Sequence, residues 1–251
     1  MKALYAFRDA LSFLTILPVS SKKEREESPA LRMSRALAWF PLVGALVGLI
    51  GGAVVYLTVS WLPVSVASLL GLFSMVILTG GLHLDGLADT VDGFGARGGR
   101  EETLKVMRDS RIGTFGALGL FLVLGLKWAL IQAIPTHQLI QTLAVTGSLG
   151  RWGLVLSGRF FPYAPGKEGL GRLVTDQPSS QSAFLATLLT LGLVLAGTSN
   201  WASLLLMGLA GGAVWVLNSI FKIRLGGITG DTLGALNEAV EVIALLFLAR
   251  S

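Results

Sequence analysis

The sequence contains no cysteine. That excludes a disulfide framework, a thiolate nucleophile and any cysteine-ligated metal, so a bound metal would rest on oxygen or imidazole. Charge is scarce as well: Asp, Glu, Lys and Arg make up 14% of the chain, against roughly 25% in soluble domains. The signature G-x-x-x-x-G-K-[ST] does not occur, so an ATP-driven motor is not indicated. A cleaved N-terminal signal is not expected either, because Arg8 and Asp9 interrupt the apolar stretch that follows Lys2.

What is present is apolar. Hydrophobic residues are 53% of the 251 and mean hydropathy is +0.70, the composition of a membrane protein. The apolar runs spread from residue 36 to the C-terminus, which predicts one membrane-embedded, all-α domain over residues 1–251. A bilayer core of about 30 Å takes ~20 apolar residues per helix. Suitable runs lie at 36–60, 64–82, 113–134, 139–157, 183–196 and 201–221. A last run, 239–249, spans only if its start is taken back to about Leu233, so a polytopic bundle of six to seven transmembrane helices is expected. Ahead of them Leu4, Phe7, Leu11 and Leu14 recur at helical spacing. They predict an N-terminal amphipathic helix, lying in the interface or packed on the bundle and ended by Pro18.

Charge placement orients the bundle. Lys and Arg concentrate in alternate connections, such as "SSKKEREESPALRMSR", "RGGREETLKVMRDSR" and "KIRLGG", while "WLP", "PTH" and "TSN" carry none. The positive-inside tendency places the long basic loops in the cytoplasm. All 15 acidic residues then fall in cytoplasmic loops or near cytoplasmic helix ends, and the chemistry is expected there. The net charge of +5 is met by basic loops beside anionic lipid and needs no nucleic-acid partner. Lys127 is the exception, deep in the third span, where it snorkels, joins two helices or has a function.

The acids are not scattered. In "GGLHLDGLADTVDG", residues 80–93, Asp85, Asp89 and Asp92 stand at i, i+4 and i+7. If the second span continues as a helix through residue 93, they share an arc of about 60°. At ~6 Å separation, neighbouring carboxylates repel by roughly 3 kcal/mol at an effective dielectric near 20. A hard divalent cation bound to oxygen relieves this. His83 is a ligand, a substrate contact or a polar residue at the interface. A second acidic stretch, "GGITGDTLGALNEAVE", repeats the seven-residue step from Asp231 to Glu238 and adds Glu241 one turn on. Between them, "MRDSRIGTFG" offers Arg108 and Arg111, either as phosphate ligands or as loop cations paired with Asp109 and Glu102. Its Gly113 and Gly116 allow a helix or ligand to approach closely. Carboxylates for a metal and arginines for phosphate, in a membrane setting, point to phosphoryl or phosphodiester transfer from an activated substrate.

These stretches, with "FLTILPV" near the N-terminus, closely resemble the cobalamin synthase family, the adenosylcobinamide-GDP ribazoletransferases, over essentially the whole chain. The resemblance implies a Mg²⁺-dependent enzyme of the bacterial or archaeal cytoplasmic (inner) membrane, active on its cytoplasmic side. It would join adenosylcobinamide-GDP to α-ribazole or its 5′-phosphate and release GMP. By that implication Asp85 and Asp89 bind Mg²⁺ on the pyrophosphate, and Asp92 completes the site or takes the proton of the attacking hydroxyl. Arg108 and Arg111 neutralise phosphate charge. Asp231, with Glu238 and Glu241, supplies a second metal site or the general base, and His83 joins the catalytic group. D-G-x-A-D-x-x-D is also similar in part to the acidic signature of CDP-alcohol phosphotransferases, although that family's alanine-arginine pair is absent. The competing class is a transporter of a metal ion or corrinoid. Against it stand the clustering of acids at cytoplasmic helix ends and an outer face almost bare of polar residues. Glycine-rich faces such as 44–52 permit close packing within a chain or in a homo-oligomer.

Overall fold

The computed structural model describes residues 2–19, 28–166, 169, 171–175, 179–198 and 200–249. Two long helices form its axis: α8 (Leu139–Phe160) and α12 (Gly230–Leu248). Around them, in chain order, lie α1 (Lys2–Leu14), α2 (Pro29–Ala36), α3 (Phe40–Thr58), α4 (Val64–Thr79), α5 (Leu82–Gly95), α6 (Arg100–Val106), α7 (Thr114–Ala133), α9 (Gly171–Thr175), α10 (Ser180–Gly197) and α11 (Asn200–Leu225). No strand occurs among the described residues. A single bridge joins Tyr163 to Ile228.

Local signals account for the helix ends. Ser28 caps α2 through the Leu31 amide with Pro29 next in line, and Ser179 caps α10. Thr229 and Thr232 form a reciprocal capping box at the start of α12. The second span departs from the expected continuous helix. Gly80 and Gly81 both take left-handed backbone, with φ of 61° and 71°, and α4 meets α5 at 90°. Two consecutive residues without a Cβ permit this turn at no steric cost. The acidic stretch is therefore helical, as the spacing predicts, but on a separate helix crossing the end of the bundle.

Four helices are long and apolar enough to cross a membrane: Pro29–Thr58, Thr114–Ala133, Ser180–Gly197 and Trp201–Leu225. The bent pair of α4 and α5 makes a fifth if counted as one span. The other two runs counted from the sequence, α8 and α12, are more polar than these. Both are long enough, α8 reaching about 33 Å, but their neighbours are protein rather than lipid. Sixteen of the 22 residues of α8 are buried, so polar side chains there face other helices. The lipid-type surface belongs to the outer helices, where Phe121, Leu122, Phe184, Leu204 and Phe73 are exposed.

The glycine-rich face at 44–52 packs within the chain. Gly44 lies against Gly147, Gly48 against Leu143 and Gly52 against Ile140, so a side chain at any of them would collide with the backbone of α8. Small residues let the α3 and α8 backbones approach closely. The helix α1 packs on the bundle, burying Ala6, Ala10 and Leu14, and ends before Pro18. Just beyond it, Ile16 donates its amide to the Leu78 carbonyl at 2.9 Å, tying the N-terminal segment to the end of α4.

Candidate active site

The two acidic helices cross at their N-terminal ends. Gly86 of α5 lies against the backbone of Asp231, and Gly234 of α12 against the backbone of His83 and Gly86, with no space for a Cβ at either contact. This crossing brings Asp85, in the first turn of α5, together with Asp231, in the first turn of α12. Both line one open cleft of about 280 Å³, and His83 and Thr229 line it too. The remainder of its wall includes Phe13, Met107, Leu154, Val174 and Leu233. The bridge between Tyr163 and Ile228 brings the 162–166 segment to the same opening.

The described lining of the cleft includes two carboxylates, Asp85 and Asp231. Two helix N-termini point their partial positive charge toward it, which stabilises the acids and favours an incoming anion. His83 is buried, at 6% exposure, and its Nε2 has no hydrogen-bond partner among the described residues. It also borders a second, much smaller void of about 20 Å³ beside Lys127, Arg151, Glu238 and Glu241.

Other acids expected at the site have different surroundings. Asp89 is half-buried one turn along α5 from Asp85 and does not line the cleft. Asp92 turns to the start of α7 and accepts from the Gly113 amide at 2.7 Å and the Gly116 amide at 2.8 Å. It thus caps a helix whose own N-cap residue, Gly113, has no side chain to do so. The two glycines of "RIGTFG" are explained by this contact, since a Cβ at either would strike the Asp92 carboxylate.

Glu238 and Glu241 are buried and face the interior of the bundle. Lys127 of α7 donates to Glu238 at 2.5 Å and to Glu241 at 2.6 Å. Arg151 of α8 donates to the other oxygen of Glu241, and the Asn237 amide reaches both glutamates. Lys127 therefore joins helices rather than snorkelling. Arg151 lies outside the acidic motifs, and its signal in the sequence is an arginine within an apolar span, which calls for a buried partner. Neither Arg108 nor Arg111 lines the cleft; Met107 is the residue of that segment that does. Arg108 is exposed. Arg111 forms a two-point ion pair with Asp109, whose side-chain hydrogen bonds, then the Arg111 amide, hold the Asp109 carboxyl down at about 2.

No group of three or more His, Asp or Glu among the described residues is arranged to hold a metal ion. Asp85 and Asp231 nonetheless suit Mg²⁺, which is commonly held by one or two carboxylates together with substrate phosphates.

A family model described as cobalamin-5-phosphate synthase matches residues 6–249. Among curated proteins, the adenosylcobinamide-GDP ribazoletransferase of Klebsiella pneumoniae strain 342 is 41% identical over 249 residues, covering 97% of this chain and 98% of the relative. Those of Citrobacter koseri and Desulforamulus reducens are 38% and 36% identical, over 252 and 248 residues. Each alignment covers at least 95% of both chains. No solved structure matches the chain.

Proposed function

The chain belongs to the cobalamin-5-phosphate synthase family, and from that premise we propose that the Asp85–Asp231 cleft is where its transfer reaction takes place. The protein is a multi-pass membrane transferase of the final stage of cobalamin synthesis, coupling adenosylcobinamide-GDP with α-ribazole or its 5′-phosphate. A ribose hydroxyl of the acceptor attacks the phosphorus on the cobinamide side of the pyrophosphate. The new P–O bond forms as the bond to the bridging oxygen breaks, and GMP leaves with that oxygen. Transfer of this kind depends on positioning and charge neutralisation more than on covalent chemistry by the protein.

The observation that carries the proposal is the convergence of Asp85 and Asp231 on one cleft, where the N-terminal ends of α5 and α12 cross. Asp85 and Asp231 would hold Mg²⁺. When bound, it would supply Lewis-acid neutralisation of the pyrophosphate charge. The N-termini of α5 and α12 present backbone amides and positive dipole ends to the same phosphates. With Asp92 engaged at α7, Glu238 at Lys127 and Asp231 toward the metal, His83 is the proposed catalytic residue left in the cleft to take the hydroxyl proton. Phosphate charge outside the cleft falls to Arg108, which is exposed on the same segment as Met107. The positive-inside pattern of the loops supports a cytoplasmic opening in the inner membrane.

The test is product formation by the purified protein from adenosylcobinamide-GDP, α-ribazole and Mg²⁺, with and without EDTA. GMP and coupled product appearing together, and disappearing with EDTA, support the proposal. Undiminished turnover in EDTA would remove the metal from it. A His83→Ala variant, assayed at saturating Mg²⁺, then tests the proton transfer: a large fall in turnover supports His83 as the base, and near-native turnover removes it.

A further inference from the structure

The cleft has two unlike sides, and the acids account for only one. Leu154, Val174, Leu233 and Met107 are core residues, each no more than 5% exposed, yet all four contribute to its wall. They come from α8, α9 and α12 and from the residue after α6. Phe13 of α1 completes this wall, its ring held by stacking on Phe40 at 5.7 Å. An apolar surface built from five separate segments, beside two carboxylates, is suited to a ligand with a flat apolar end and a hydroxylated end.

We infer that the interior of the cleft binds the acceptor nucleoside, with its benzimidazole-type base against the Phe13–Leu154–Val174 wall and its ribose toward Asp85 and Asp231, while the corrinoid remains outside. This rests on the transferase reading above and adds which substrate enters. Size supports it. A volume of about 280 Å³ lies at the lower edge of the roughly 300–1,000 Å³ typical of pockets that enclose drug-sized molecules. It admits a nucleoside and not a corrin macrocycle with its side chains. Chemistry decides between the acceptor's base and the donor's guanine. Guanine carries N1–H, N2–H2, O6 and N7 around its rim, each costly to bury without a partner, and the Phe13–Leu154–Val174 wall presents only apolar carbon. The Thr229 hydroxyl is engaged in capping α12. An apolar base makes no such demand. The diphosphate of the donor then meets the acids from the mouth, where Asp85 is exposed.

The test is steady-state kinetics with each substrate varied in turn, on wild type, Leu154→Phe and Phe13→Leu, with direct binding of labelled α-ribazole in the absence of donor. Leu154→Phe narrows the wall and Phe13→Leu removes its ring; the second is a mild change that keeps the assay available if the first does not fold. The KM for α-ribazole is expected to rise about tenfold or more, the scale of a changed hydrophobic pocket. Binding of α-ribazole alone weakens in parallel, and the KM for adenosylcobinamide-GDP stays within about twofold. A rise confined to the KM for adenosylcobinamide-GDP would assign the cleft to guanosine and overturn the inference, as would no change in either constant. A wild type that binds α-ribazole without forming product, and loses that binding in the variants, would remove the transferase reading and leave the base site standing.

Discussion

Asp231 opens α12, and Glu238 and Glu241 follow it on the same helix, Glu238 about 10 Å further along. The two regions differ in what faces them. Around the glutamates, α7 and α8 each contribute one cation, so two positive and two negative side chains meet in a space from which water is largely excluded. Around Asp231 the crossing helix α5 adds another carboxylate, Asp85. The first region is neutralised by buried side chains of its own, and the second gathers its acids at an open cleft. A buried ion pair adds little net stability over apolar packing but is costly to break. It therefore fits a role in fixing the register of α12, and with it the position of Asp231.

This contrast can be broken from either side. The largest effect is expected from Lys127→Met, which leaves two buried glutamates with only Arg151. The loss should be about 3 to 5 kcal/mol in equilibrium unfolding in detergent, with much of it recovered in Lys127→Met/Glu238→Gln. A single variant as stable as wild type would contradict the pairing. On the other side, Asp85→Asn should leave unfolding nearly unchanged and lower the rate of GMP release by about 10²- to 10³-fold, the scale of removing one electrostatic contact to a transition state.

Much of this was legible in the sequence. The all-α membrane bundle follows from hydropathy, and Asp85, Asp231 and His83 follow from their motifs. Their meeting in one cleft does not. It depends on Gly80 and Gly81 turning α5 by 90° and on Gly86 and Gly234 allowing the helices to touch, and periodicity along one helix carries no information on where another helix crosses it. Nor did the spacing separate Asp92 from Asp85, or Glu238 from Asp231. The distinction lies in long-range partners, the amides of Gly113 and Gly116 for one and Lys127 for the other. The polar residues within α8 and α12 are likewise explained by protein neighbours, a property of tertiary position.

Smaller effects sharpen the same comparison. Asp92→Asn keeps one accepting oxygen at the start of α7 but loses the charge and sets an amide donor against the second backbone N–H, so a stability decrease of about 1 to 3 kcal/mol is expected with little change in turnover. A large fall in rate with unchanged stability would move Asp92 into the reacting group. The smallest is the titration of Asp109. Its carboxyl is held below its ordinary value, so its contact with Arg111 is complete above pH 4 and is lost as pH falls to about 2. The carboxyl-carbon shift of labelled Asp109 should report that midpoint, and Arg111→Gln should return it toward the ordinary range.

The most direct measurement is the binding of Mn²⁺ as a paramagnetic substitute for Mg²⁺, followed by electron paramagnetic resonance in the presence of adenosylcobinamide-GDP. Wild type and Lys127→Met/Glu238→Gln should both hold the ion, and Asp85→Asn/Asp231→Asn should not. Retention of the ion by the aspartate variant, with its loss from the Lys127/Glu238 variant, would place the metal at the buried glutamates and reverse the assignment of the two regions.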